Sequence, residues 1–162
     1  MADIRRKVGA GPELRPIGFV RSPFKDPSDL PAPAFAPPRF LARAVGEIEI
    51  CPEFARGLDG LEAFSHIIAI FHFHRAGTAK LTAVPPGRTE PRGVFATRSP
   101  RRPNPLGLTV LKLIGREGRV LRVSGLDLIN GTPVLDIKPY TGRDRKSHFR
   151  TGRAHAGRRA GR

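Results

Sequence analysis

Three arginines, an asparagine and three prolines crowd into Ala96-Thr-Arg-Ser-Pro-Arg-Arg-Pro-Asn-Pro-Leu-Gly-Leu-Thr109, between two apolar runs. Proline fixes its own φ and drives the residue before it into extended geometry, so Ser99, Arg102 and Asn104 have few backbone states to lose on binding. Little ordering entropy then opposes a ligand. Arg98, Arg101 and Arg102 could present planar donor forks to a carboxylate or phosphate, a geometry lysine lacks. A ligand-free surface loop accounts for this segment equally well. His72 and His74 have the His-x-His spacing that brings two imidazoles to one ion, but no carboxylate or cysteine lies nearby in sequence to complete such a site. No metal is therefore expected, and these histidines are read as lining a polar cleft or hydrogen-bonding inside a barrel.

These residues need a scaffold, and the chain supplies short strands. Val45-Gly-Glu-Ile-Glu-Ile50 alternates Ile48 and Ile50 with Glu47 and Glu49, which predicts a strand with one wet face. In Ser65–His74, period two puts His66, Ile68, Ile70, His72 and His74 on one face and Ile67, Ala69, Phe71 and Phe73 on the other. Further strands are expected at Arg15–Arg21, Gly93–Thr97, Leu108–Ile114, Val120–Leu126 and Val134–Lys138, with a turn or two of helix at Pro52–Leu58. The proline-rich stretch 22–38 predicts a long loop. Asn130-Gly131, between Leu126–Ile129 and Thr132–Ile137, predicts a two-residue hairpin with positive φ at both turn positions, which would gather Asp127, Asp136 and Lys138. Periodicity alone favours a structural turn with solvated carboxylates. The expected fold is all-β, a compact single-sheet β-barrel with short helical insertions. Its domain covers 15–141, between a flexible arm at 1–14 and a basic disordered tail at 142–162.

Composition narrows the partners. With 29 Lys and Arg against 14 Asp and Glu, the net charge is +15 and the sequence pI is about 11.6. Such an excess favours a polyanion, most simply nucleic acid, through counterion release. Residues 141–162 hold eight Arg or Lys against one Asp, without apolar periodicity. Cys51 is the only cysteine, which excludes an internal disulfide and a cysteine-cluster metal site. No run has the length of a signal peptide or a membrane span, so a soluble cytoplasmic protein without membrane contact is expected. Glycine-rich dinucleotide and phosphate loops, His-Glu-x-x-His and Gly-x-Ser-x-Gly are all missing. An open α/β nucleotide-binding fold is disfavoured accordingly.

Three longer motifs carry a family likeness: Gly60-Leu-Glu-Ala-Phe-Ser-His-Ile-Ile68, Gly93-Val-Phe-Ala-Thr-Arg-Ser-Pro-Arg-Arg-Pro-Asn-Pro-Leu-Gly-Leu108 and Gly131-Thr-Pro-Val-Leu-Asp-Ile-Lys-Pro-Tyr140. With Pro16–Phe24 they resemble the TrmO family, also called TsaA-like or YaeB-like, over about residues 15–141. The resemblance implies a β-barrel that binds S-adenosyl-L-methionine and forms a homodimer, with the cofactor pocket near the subunit contact. It also implies methylation of N6 of the threonylcarbamoyl-modified adenosine at tRNA position 37.

Carried over by motif, the cofactor site would draw on His74, Arg75, Arg98, Leu108, Leu126, Asp127, Leu128, Gly131, Thr132 and Pro133. Arg98 would meet the cofactor's carboxylate, Asp127 its ammonium or ribose, and Leu108, Leu126 and Leu128 its adenine. Asp136 or Tyr140 would orient the acceptor amine and take its proton, as catalytic residues. Arg101, Arg102, Lys138, Arg143, Arg145 and Lys146 would bind nucleic acid. Two alternatives compete: a cofactor- and RNA-binding protein without transfer activity, or a methyltransferase with another acceptor. The chain departs from the family pattern at Leu30-Pro-Ala-Pro-Ala34, where polar residues are usual, and at Asn130, where aspartate is usual. Many bacterial members add a C-terminal domain; the basic tail here could substitute for it as an RNA grip or could mean a different substrate.

Overall fold

Six antiparallel strands close into one barrel in the computed structural model, which describes residues 13–30 and 44–144. The strands are β1 (Gly18–Arg21), β2 (Val45–Ile50), β3 (His66–His72), β6 (Leu106–Glu117), β7 (Val120–Ser124) and β8 (Pro133–Pro139). Around the barrel they run β1-β2-β7-β6-β3-β8, and β8 pairs back with β1 through Gly18 opposite Val134. Closure leaves no unpaired sheet edge. A separate two-stranded ribbon joins β4 (Thr82–Ala83) to β5 (Arg92–Gly93). All helical segments among the described residues are 3-10 turns, and no helix is long and apolar enough to cross a membrane.

The alternation expected from the sequence sets the barrel's inside and outside. Ile48 and Ile50 point in, while Glu49 on the wet face pairs with both Arg21 and Arg119. Ile67, Ala69 and Phe71 on β3 are buried against Leu111 and Leu113 of β6, Leu121 and Val123 of β7 and Val134 of β8. Bulges at β3–β8, between Ile70 and Phe71, and at β6–β7, between Leu113 and Gly115, bend the strands as a small closed sheet requires. The β6–β7 hairpin turns through Gly118, whose φ of 56° suits the first central position of a two-residue turn. Leu58 and Leu61, from the 3-10 segments Pro52–Leu58 and Leu61–Ala63, also pack into the core.

Three expectations are corrected. Gly93–Thr97 is not a strand: after Arg92–Gly93 the chain coils into a 3-10 turn, Val94–Ala96, anchored by buried Val94 and closed where Thr97 Oγ1 donates to the Val94 carbonyl at 2.8 Å. β7 stops at Ser124, where Gly125 takes a φ of 87°. The Asn130-Gly131 hairpin does not form, because β7 and β8 are not neighbours. Residues 125–132 instead bury Leu126, Leu128 and Ile129 as they lead into β8, and turn once where Thr132 N–H donates to the Ile129 carbonyl at 3.2 Å. Of the two central residues of that turn only Gly131 has positive φ, 77°, as at the third position of a type II turn. Burial of three apolar side chains outweighed the local turn signal. Gly46 makes this passage possible, since a Cβ there would run into the Leu126 side chain and the Arg21 carbonyl.

Candidate functional site

At the end of β3 a pocket of about 130 Å3 opens between barrel and loops. Phe71 and Phe73 form an apolar wall, packed edge to face with centroids 5.0 Å apart. Their rings lie close over Gly107 on the neighbouring strand, where any Cβ would collide with both. Leu128, Ile129 and Thr132 contribute from the crossing segment, with the Thr132 hydroxyl donating to the Ile129 carbonyl at 2.7 Å. Pro27 and Leu30 close the far side. A capping box holds that wall: Asp26 accepts from Ser28 N–H at 3.0 Å, while Asp29 accepts from the backbone N–H groups of Lys25 and Asp26 at 2.8 and 2.9 Å. Arg75 ties it to β3 by donating to the Lys25 carbonyl at 3.1 Å, with Asp26 beside it.

Two titratable groups in the pocket are shifted. Asp127 as a residue is exposed, yet the surrounding wall crowds its carboxyl and pushes its pKa up, chiefly by desolvation. Its own backbone N–H, the Thr109 hydroxyl and the charge of Arg98 partly oppose that rise. His74 is held below its ordinary value by burial first, then by the charges of Arg75 and His72, against a smaller opposing effect of its backbone hydrogen bond to His72. The shift favours the neutral imidazole. The pocket thus combines aromatic walls, a carboxylate short of solvation and a neutral histidine, a set that suits a ligand with an aromatic part and a cationic part.

Of the residues singled out in the sequence, His74, Arg75, Asp127, Leu128 and Thr132 line this pocket. Arg98 approaches Asp127 through its charge. Gly131 makes the turn, Pro133 opens β8 opposite Phe19, and Leu126, fully buried, belongs to the barrel core. Leu108 stands on the outer face of β6 with 58% of its surface exposed. Asp136 and Lys138 form an ion pair at 2.6 Å, with Asp136 in register with outward-facing Ile70. The predicted gathering of Asp127 with Asp136 and Lys138 is therefore corrected, because it depended on the hairpin. Tyr140 sits at the far end of β8, edge-on to His66 with centroids 6.3 Å apart. His66 and His72 share the outer face of β3, not the barrel interior.

Arg102 commits one nitrogen to the Thr97 and Ser99 carbonyls, at 2.9 and 3.4 Å, stapling the rigid loop. Arg101 lines a separate cavity. Arg143 is exposed in the last 3-10 turn, and Arg145 and Lys146 lie outside the described residues. The arm at 1–14, but for its last two residues, and the tail beyond 144 lie outside them too. Sequence reasoning missed Phe71 and Phe73 as site residues because period two gives them a strand face shared with Ile67 and Ala69 and no sign of a pocket at its end. It missed Pro27 and Leu30 because a proline-rich loop carries no signal of where it packs. Asn130, where the family usually has aspartate, accepts from Ser22 N–H at 3.1 Å, a bond its carboxamide oxygen makes without a charge.

The profile of the tRNA-methyltransferase O N-terminal domain family matches residues 19–144. A protein of Pyrococcus abyssi, named as a probable S-adenosyl-L-methionine-binding protein, is 50% identical over 127 residues, covering 78% of this chain and 66% of that protein. The tRNA (adenine(37)-N6)-methyltransferase of Escherichia coli is 38% identical over 138 residues, covering 79% of this chain and 57% of the enzyme. The crystal structure of TrmO from Pseudomonas aeruginosa superposes with a TM-score of 0.72 at 38% identity, covering 88% of this chain and 62% of that one. The chain spans less than two thirds of the length of each of these relatives. By the extent of the profile match and the shared barrel, this chain belongs to the tRNA-methyltransferase O N-terminal domain family.

Proposed function

We propose that this chain is a methyltransferase that uses S-adenosyl-L-methionine to methylate N6 of an adenine in tRNA, with the threonylcarbamoyl-modified adenosine at position 37 as the acceptor. The observation that carries the reading is the pocket lining, which brings Asp127 and His74 together with the aromatic wall of Phe71 and Phe73. The names of the Pyrococcus and Escherichia coli relatives support it. When bound, the cofactor supplies an electrophilic methyl group on a sulfonium. Asp127 would hold its cationic part, Arg98 its carboxylate, and Phe71, Phe73 and Leu128 its adenine. His74, being neutral, adds no like charge. The enclosed volume is below the roughly 300–1,000 Å3 usual for small-molecule sites, so the remainder of the ligand extends past the pocket mouth.

An exocyclic adenine amine is a weak nucleophile, so the chain's main contribution is alignment, which in favourable systems supplies about 7–11 kcal/mol. Asp136 is our candidate for orienting that amine and taking its proton, with Tyr140 just past the end of β8 as the second. Asp136 faces outward on the same side of the sheet as Ile70 and Leu108. That outer face also exposes Leu106, Val110 and Ile114, an apolar strip with a second copy of this chain as its proposed partner. Docking there would bring Asp136 to the subunit contact.

Two results check this reading. Asp136→Asn is expected to leave cofactor affinity near wild type while turnover falls by about 100-fold or more; unchanged turnover removes Asp136 from the reaction. Leu108→Glu is expected to convert a dimer, measured by sedimentation, into a folded monomer of low activity. The function as a whole is tested by nucleoside mass spectrometry of tRNA from a strain lacking the chain. Selective loss of the N6-methylated threonylcarbamoyl nucleoside supports it, and an unchanged profile rejects it. This acceptor would place the protein in the cytoplasm.

A further inference from the structure

Phe95 is the most exposed large apolar side chain among the described residues, at 77%. Nothing in the cofactor pocket uses it. Its turn is held by buried Val94, whose N–H donates to the Leu81 carbonyl at 2.9 Å. Lys80 N–H in turn donates to the Arg101 carbonyl at 3.1 Å, so the β4–β5 ribbon and the rigid loop are stitched together beside Phe95. Between them lies a cavity of about 370 Å3 lined by Lys80, Thr82, Ser99 and Arg101, with no carboxylate in its wall. The Arg102 guanidinium, fixed by the Thr97 and Ser99 carbonyls, stands 6.0 Å from the Phe95 ring centroid.

We propose that Phe95 is a stacking platform for an unpaired base of a single-stranded RNA loop, and that Lys80, Thr82, Ser99 and Arg101 seat an adjacent backbone phosphate. The inference rests on the tRNA reading above and names how that RNA is recognised. An exposed aromatic ring beside a held guanidinium, next to loops that carry Lys80 and Arg101, matches the chemistry of single-stranded nucleic acid, whose base faces are free. Paired RNA keeps its base faces stacked inside the helix. An apolar protein partner would bury Lys80 and Arg101 without countercharge, which is costly. Arg102 acts as a positioning residue, holding the loop and facing the ring.

The test uses the full chain, fluorescence anisotropy and two probes: an RNA hairpin with an unpaired loop, and a fully paired RNA with as many phosphates. Wild type is expected to prefer the hairpin. Phe95→Ala should weaken hairpin binding by about 5- to 100-fold, the worth of one base–aromatic stack, with duplex binding unchanged and Phe95→Tyr restoring affinity. Lys80→Ala with Arg101→Ala should weaken both probes and reduce the salt slope by about 0.7 for each single-strand phosphate no longer neutralised. S-adenosyl-L-methionine titration should be the same for every variant, which also reports folding.

Hairpin affinity that survives Phe95→Ala, an equal loss for both probes, or a change of oligomeric state in that variant overturns the proposal. Wild type that binds neither RNA overturns the tRNA reading with it. A preference for the hairpin that Phe95→Ala leaves intact overturns the stacking seat alone.

Discussion

Replacing Asp127 by asparagine is expected to weaken S-adenosyl-L-methionine binding by about 10- to 100-fold, the worth of one charge-assisted hydrogen bond. The same change should make the unliganded chain more stable at neutral pH. Both effects come from one cause: the pocket wall desolvates the carboxylate by more than its own backbone N–H, the Thr109 hydroxyl and the charge of Arg98 offset. A carboxyl whose folded pKa lies above its ordinary 3.8 favours folding below that value, and its contribution is lost as pH rises through the shifted value. The substituted carboxamide carries no such charge. A bound cation reverses the balance in the wild type, because it favours the ionised form.

The pH dependence follows with its sign. Wild-type cofactor affinity should fall on acidification as Asp127 takes up a proton, and this part of the profile should vanish in Asp127→Asn. His74 acts on the stability of the free chain in the opposite sense to Asp127. Its lowered pKa gives a contribution present above the ordinary 6.5 and lost as pH falls through the shifted value. Calorimetric titrations across pH, with denaturant unfolding of the free proteins, measure both. An Asp127→Asn protein that binds the cofactor as tightly as wild type would remove Asp127 from the site.

The second large effect concerns Leu126, one residue away. Leu126→Ala should cost about 2–5 kcal/mol of stability, since the side chain is fully buried in the barrel core and its neighbours can collapse only in part. Against a typical domain stability of about 5–15 kcal/mol, that is a substantial share. The folded fraction should bind cofactor within a few-fold of wild type, because Leu126 does not line the pocket. Chemical denaturation and titration separate the two readouts. A large affinity loss with little change in the unfolding midpoint would return Leu126 to the pocket wall.

These adjacent residues show where the sequence was legible. Alternation in Val45–Ile50 and Ser65–His74 identified both strands and the inner face of the first, because a barrel wall is half buried and period two records that directly; in the second it separated the two faces, and burial of Ile67, Ala69 and Phe71 put the histidines outside. Asn130-Gly131 misled, because a turn signal reports local φ preference and not which strands a chain joins. Leu126-Asp-Leu-Ile129 looked like a strand, whereas its leucines and isoleucine are buried in a crossing segment. Asp127 was selected through the family motif, and its partners could not be read from spacing. Thr109 and Arg98 reach it from β6 and the rigid loop, and Pro27 and Leu30 from a loop about a hundred residues earlier.

The sequence by itself determined the all-β class, the inward face of β2, the division of β3 into two faces, the stiffness of the arginine-proline loop and the excess of positive charge, all of them properties of neighbouring residues. Only the tertiary structure decided that Asp127 and Asp136 part company, that Phe71 and Phe73 form the wall of a pocket, and that Phe95 stands exposed beside Lys80 and Arg101. The reason is physical: a closed barrel must bury whichever apolar side chains fit its interior and ends. That requirement, satisfied over long separations in sequence, fixes which polar groups are left facing one another.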